Sequence, residues 1–144
     1  MKAKEILEKK GTHVWTISEN STIKEVLGLL VNHNIGAAVV LDDRGGISGI
    51  ISERDIAREC YRNSENIEQT RVSAVMTKKL IVAAPEDELD YLMGVMTNNR
   101  IRHVPIVARG KLEGIISIGD VVKAQLRDTQ YENRYLRDYM FGNR

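Results

Sequence analysis

Two short strings carry residue types able to do chemistry. Ser52-Glu53-Arg54-Asp55 and Ser117-Ile118-Gly119-Asp120 each set a hydroxyl three residues ahead of a carboxylate, and each follows Gly-Ile-Ile. Both fall where a short apolar run ends and a helical pattern begins. One use is helix capping, with serine at the N-cap and an acid in the first turn. The other use needs the same geometry. Free N–H groups at a helix start attract phosphate, and a nearby carboxylate accepts both hydroxyls of a ribose. One residue can do both. The two strings differ inside: Arg54, and Arg58 beyond it, add positive charge to the first, while Gly119 permits close approach at the second. Two inequivalent sites are expected.

Arg102 and His103 form a second set, just ahead of an apolar run. A guanidinium fork with an imidazole beside it is suited to clamping phosphate. The alternative is a solvated pair at a strand edge, or a histidine satisfied in the core.

These residues sit in an internal repeat. Residues 14–43 align with 80–109, and 45–58 with 110–123, leaving Arg44 as an insertion. The sharpest match is Gly-Ile-Ile-Ser-x-x-Asp at 49–55 and 114–120, and Gly36 and Ala37 align with Arg102 and His103. Each copy begins with an extended run, 14–17 or 80–83. An amphipathic helix follows, with Ile23, Val26, Leu27, Leu30 and Val31 in copy one and Leu89, Leu92, Met93 and Met96 in copy two. Thr22 and Glu25 have capping-box spacing. Next come two short runs joined by a glycine-containing turn: 37–41 and 47–52, then 104–107 and 112–117. A second helix closes each copy, with Ile56, Ala57, Cys60 and Tyr61 as its apolar side in the first and Val121, Val122 and Leu126 in the second. The order is β-α-β-β-α, twice. A copy of about 60 residues is small to stand alone. The expected fold is α/β: two such units packed sheet to sheet around one core, with terminal helices. The expected parts are a first motif over 1–70, with the N-terminal helix and the polar link 62–70, a second motif over 71–128, and a helical tail over 129–144.

The tandem units, each closing on Gly-Ile-Ile-Ser-x-x-Asp, resemble a pair of CBS domains, also called a Bateman module. Arg-Ile-Arg-His-Val-Pro-Ile at 100–106 is similar to that family's start of the second strand. Residues 72–77 (Val-Ser-Ala-Val-Met-Thr) are similar to its lead into the second copy. The resemblance spans about residues 3–127. It implies a stand-alone regulatory module that binds an adenosine-containing ligand, such as AMP, ATP, NAD or S-adenosylmethionine. It also implies a homodimer and a regulated partner protein. Aspartate would take the ribose diol, and serine the phosphate or ribose. The resemblance joins Asp55, with Ser52 and Arg54, to Arg102 and His103. It joins Ser117, Ile118, Gly119 and Asp120 to Gly36, Ala37 and Ala38, whose small side chains leave room for an adenine ring. Main chain near Thr16, Ile17 and Ser18, and near 82–84, would read the base edge.

Composition narrows the alternatives. The 144 residues carry a net charge of +1, which gives no reason to expect nucleic acid or a membrane surface as partner. No apolar stretch approaches the roughly 20 residues of a membrane span. Cys60 is the single cysteine, which excludes an internal disulfide and a multi-cysteine zinc site and suits a reducing cytoplasm. Its place on the apolar side of the helix predicts a buried, inert thiol. His13 and His33 lack metal-ligand spacing and are expected at the surface or in structural roles. Met93 and Met96 are expected in the core, and Met76 packed under the link. His103, Glu53 and Asp55 are the only set a nucleotide hydrolase could draw on, and no metal motif accompanies them, so no enzyme is expected. A ligand-free structural dimer or adaptor is the other reading. In the tail, Tyr131, Tyr135 and Tyr139, with Leu136 and Met140, recur at helical spacing, fit either for packing on the module or for a dimer contact.

Overall fold

The computed structural model describes residues 1–127 and, beyond them, Arg134, Tyr135, Arg137, Asp138 and Met140. Tyr131, Leu136 and Tyr139 of the tail stripe lie outside the described residues. The elements run α1 (Ala3–Lys10), β1 (Thr16–Ser18), α2 (Ile23–Asn32), β2 (Ala37–Leu41), β3 (Ile47–Ser52), α3 (Glu53–Arg62), α4 (Val72–Val75), α5 (Leu89–Asn99), β4 (His103–Ala108), β5 (Lys111–Ser117) and α6 (Ile118–Leu126). A single 3-10 turn, Ile67–Gln69, lies in the link. The chain divides into two compact units. One is His13–Ile81; the other joins Met1–Thr12 to the chain from Val82 onward.

The repeat is visible in the hydrogen bonding. In the first-copy unit, β1 pairs parallel with β2, and β2 antiparallel with β3. In the other, β4 pairs antiparallel with β5. The extended run expected at 80–83 contributes only a parallel bridge from Ala83 to Ile106. Both ladders shift register at the same repeat position, between Val40 and Leu41 and between Ile106 and Val107. The β4–β5 turn places Arg109 and Gly110 at positive φ, as a two-residue primed hairpin requires.

Helix α2 starts on the expected box: the Glu25 N–H donates to Thr22 Oγ1, and the Thr22 N–H donates to the Glu25 carboxylate. Ile23, Val26 and Leu30 are buried with Ala38, Val40, Ile51, Ile56 and Val72. Leu27 and Val31, expected on that apolar face, are exposed instead. Only the Ile23, Val26 and Leu30 side of α2 is buried in the first-copy core. Helix α3 departs further. Six of its ten residues are charged, and only Ile56 is buried. Ala57 and Cys60 are exposed and Tyr61 is 92% exposed, so the expected buried thiol is corrected to a surface thiol. Val122 and Leu126 of α6 are likewise exposed, while Val121 is buried. Met96 is buried and Met93 packs against the core, as expected.

The two units are completed by segments that precede the other copy in sequence. Residues 1–7 and 70–76 play equivalent parts. Lys2 bridges Glu88 as Arg71 bridges Thr22. The Ala3 N–H donates to the Asp87 carbonyl and the Lys4 N–H to the Pro85 carbonyl. The Val72 and Ser73 N–H groups donate to the Ser21 and Glu19 carbonyls at the corresponding positions. Ala3, Ile6 and Leu7 are buried in the second-copy core, and Val72 in the first, with Val75 and Met76 packed against it. Burying Ile6 and Leu7 is worth about 1.5–3 kcal/mol each. The segment 72–77, similar to a lead into the second copy, thus packs within the first-copy unit.

This arrangement explains the glycine in each Gly-Ile-Ile-Ser. A Cβ on Gly49 would lie 2.6 Å from the Thr77 carbonyl oxygen, and one on Gly114 would lie 2.6 Å from Leu7 Cδ2. The first obstacle is backbone, held by the paired hydrogen bonds between Ile50 and Thr77. The second is the end of a flexible side chain. Gly49→Ala is therefore expected to destabilise by about 1–3 kcal/mol, and Gly114→Ala by clearly less. Urea denaturation of the two variants beside the parent checks the order.

Candidate ligand-binding sites

Each Ser-x-x-Asp string ends a strand and opens a helix, β3 into α3 and β5 into α6. In the first, the Asp55 N–H donates to Ser52 Oγ at 3.2 Å. The Ser52 N–H and hydroxyl donate to Asp55 Oδ2 at 2.9 and 3.0 Å. In the second, the Asp120 N–H donates to Ser117 Oγ at 3.1 Å, and the Ser117 N–H donates to Asp120 Oδ2 at 2.8 Å. The capping reading is realised at both. All four side chains are half-buried, neither lost in the core nor fully solvated.

The residues ahead of the neighbouring strand lie beside the motif of their own copy. The Glu53 N–H donates to the Gly36 carbonyl, and the Ile118 N–H donates to the Arg102 carbonyl. Ala37 stands opposite Ser52 in the ladder, and His103 opposite Ser117. Ala37 and Ala38 are buried, while the Arg102 side chain is exposed. Arg54 is exposed and makes no ion pair among the described residues. Thr16 and Ile17 lie on β1, an edge strand with main-chain groups on its unpaired side. Ile118 is 38% exposed. A Cβ on Gly119 would meet only Ser117 Oγ, at 3.6 Å, so local packing does not demand glycine there.

Sequence reasoning missed one residue at each site. The Thr77 hydroxyl donates to Asp55 Oδ1 at 3.0 Å. At the second site the partner is a cation: Lys10 Nζ, at the end of α1, lies 2.6 Å from Asp120 Oδ2 and 2.7 Å from the Ile115 carbonyl oxygen. Both residues come from the segments that complete the units. The available signal was weak: apolar residues at matching spacing in Ala3, Ile6, Leu7 and Val72, Val75, Met76, with no identity between 1–7 and 70–76. His13 and His33, expected at the surface or structural, flank Trp15. The His33 ring stacks on the indole at 3.5 Å between centroids, and His13 meets it edge-on at 4.5 Å.

Burial raises the Asp120 pKa. The Lys10 hydrogen bond, the Ser117 N–H, the Lys10 charge and the Ser117 hydroxyl outweigh it and hold the carboxyl below its ordinary value. At the other end of α1, hydrogen bonds from Lys2 and Lys4, with their charges, hold the exposed Glu86 carboxyl at about 2.

A protein-family model for the CBS domain matches residues 3–62 and 72–127. The chain belongs to the CBS-domain family, and it is a tandem pair. It is 34% identical over 136 residues to the mitochondrial CBS domain-containing protein CBSX3 of Arabidopsis thaliana, covering 92% of this chain and 66% of that one. It is 36% identical to the CBS domain-containing protein YhcV of Bacillus subtilis, covering 80% of this chain and 81% of that one. Among solved structures, a CBS-domain containing protein from Agrobacterium tumefaciens is 42% identical with a TM-score of 0.84, over 86% of this chain and 92% of that one. Two more distant structures carry ligands. A CBS domain protein from Pyrobaculum aerophilum, complexed with AMP, is 25% identical with a TM-score of 0.75, over 83% of this chain and 89% of that one. The CBS domain pair of protein MJ0100, in complex with 5-methylthioadenosine and S-adenosyl-L-methionine, is 26% identical with a TM-score of 0.75, over 86% of this chain and 94% of that one. Among the described residues no helix is long and apolar enough to cross a membrane.

A carboxyl depressed in the folded state stabilises above its unfolded pKa, and that contribution is lost as pH falls through the folded pKa. For Asp120 the window opens near its ordinary value of 3.8 and runs downward; for Glu86 it runs from 4.5 to about 2. Carboxyl-detected NMR titration is expected to find Asp120 below the usual range, and Lys10→Met is expected to move it upward. An unchanged Asp120 titration in that variant would contradict the assigned cause.

Proposed function

We propose that the chain is a regulatory module that binds an adenosine-containing ligand, of the AMP, ATP, NAD or S-adenosylmethionine class, and carries no catalytic activity of its own. One observation supports this most. Both copies set a half-buried carboxylate with acceptor capacity remaining beside capped helix N–H groups. Among the described residues Asp120 Oδ1 has no hydrogen-bond partner, and Asp55 Oδ1 accepts only the Thr77 hydroxyl. A carboxylate oxygen has two lone pairs, so each can take a ribose hydroxyl. Related pairs solved with AMP, or with S-adenosylmethionine and 5-methylthioadenosine, support the ligand class. In this reading Asp55 and Asp120 hold the ribose, Ser52 and Ser117 the ribose or phosphate, and Arg54, Arg102 and His103 the phosphate. Main chain at Thr16 and Ile17 and the small residues Gly36, Ala37 and Ala38 serve the base. A homodimer and a partner protein that reads its conformation belong to the same proposal.

Thermal unfolding with AMP, ATP, NAD and S-adenosylmethionine tests it. A ligand at 100-fold its Kd that binds only the folded state adds about 2.7 kcal/mol. Asp55→Ala and Asp120→Ala are each expected to reduce the shift, and the double variant to abolish it. A full shift in the double variant would overturn the reading.

A further inference from the structure

The two sites differ in a residue that lies outside the repeated string. Asp55 is completed by the neutral Thr77 hydroxyl, and Asp120 by the Lys10 ammonium. We propose that Lys10 is a ligand-contacting, charge-selecting residue of the second-copy site, which makes that site prefer a phosphate-bearing ligand over the neutral nucleoside. The proposal rests on the adenosine-ligand reading above and assigns one of its sites a residue outside the Ser-x-x-Asp string.

The atoms carry the argument. Asp120 Oδ2 has its two lone pairs filled, by the Ser117 N–H and by Lys10 Nζ, while Oδ1 has no hydrogen-bond partner among the described residues. Ribose hydroxyls therefore enter at Oδ1. An ammonium has three donors. Two of those on Lys10 are directed to Asp120 Oδ2 and the Ile115 carbonyl oxygen. The third has no acceptor among the described residues and is available to a ligand acceptor such as a phosphate oxygen. The two protein bonds fix the ammonium in place, so binding costs little further ordering of a long side chain. The pair is also locally neutral. An anionic ligand reaching Asp120 does not meet an uncompensated carboxylate. Lys10 remains solvent-accessible, with its side chain 32% exposed against 22% for Asp120.

Calorimetric titration of the full chain with AMP and with adenosine tests this, following the binding site that is lost in Asp120→Ala. Lys10→Met is expected to weaken AMP at that site by about tenfold or more, the scale of a lost charge-assisted hydrogen bond, and to leave adenosine within about twofold. Lys10→Arg is expected to restore most of the AMP affinity. Lys10→Gln, neutral but still a donor, serves the same test if the methionine variant does not fold. Equal losses for AMP and adenosine, or no loss, would overturn the role of Lys10 and leave the adenosine reading standing. Failure of the parent protein to bind AMP, adenosine, ATP, NAD or S-adenosylmethionine, with no copurified ligand in its denatured supernatant, would overturn that reading and this proposal together.

Discussion

The reciprocal hydrogen bonds between a serine and an aspartate three residues later are the constraint on which each unit depends. They satisfy backbone donors that a helix start leaves without intrahelical partners. They also fix where β3 stops and α3 begins, and where β5 stops and α6 begins. The box aims the aspartate carboxylate back over the strand end instead of into solvent. Its remaining oxygen capacity lies beside the helix N–H groups. The capping device and the proposed binding device are thus the same atoms, which is why the capping and ligand readings of the sequence need not compete.

Around each box the chain adds a second layer from a distant segment. The segment 70–77 crosses β3 at Gly49 and ends with Thr77 on Asp55. Residues 1–10 cross β5 at Gly114 and end with Lys10 on Asp120. The crossing at Gly49 needs its glycine because the obstacle is backbone, that at Gly114 meets only a leucine side chain, and the contacts beyond them set the character of each carboxylate. One aspartate receives a neutral hydroxyl and the other a cation. The repeat supplies matching scaffolds, and the segments between and before its copies supply the difference.

Much of this was legible in the sequence. Strands β2 and β3 have the expected bounds, the Thr22–Glu25 box forms, and the repeated string lies at the expected strand-to-helix junctions. Periodicity misled where apolar residues outnumbered the surface available to cover them. Leu27, Val31, Val122 and Leu126 have helical spacing but face outward. Cys60 and Tyr61 have apolar spacing on a helix whose charges leave only Ile56 buried. Thr77 and Lys10 were not legible, because their roles depend on which unit a segment folds into. Adjacency along the chain points to the wrong one, and residues 1–7 share no identity with 70–76 to correct it. The arginines of α3 were legible by charge, whereas the ammonium that contacts a candidate carboxylate came from a helix with no counterpart of equal length in the other copy.

We propose these capped aspartates as the ligand's anchors. Carboxyl-detected NMR of the aspartate side chains during titration with AMP tests this most directly. The account predicts saturable changes at Asp55 and Asp120, with the carboxyl of Asp42, engaged in the β2–β3 turn, unmoved. Saturable binding that leaves both motif carboxyls unchanged would contradict it.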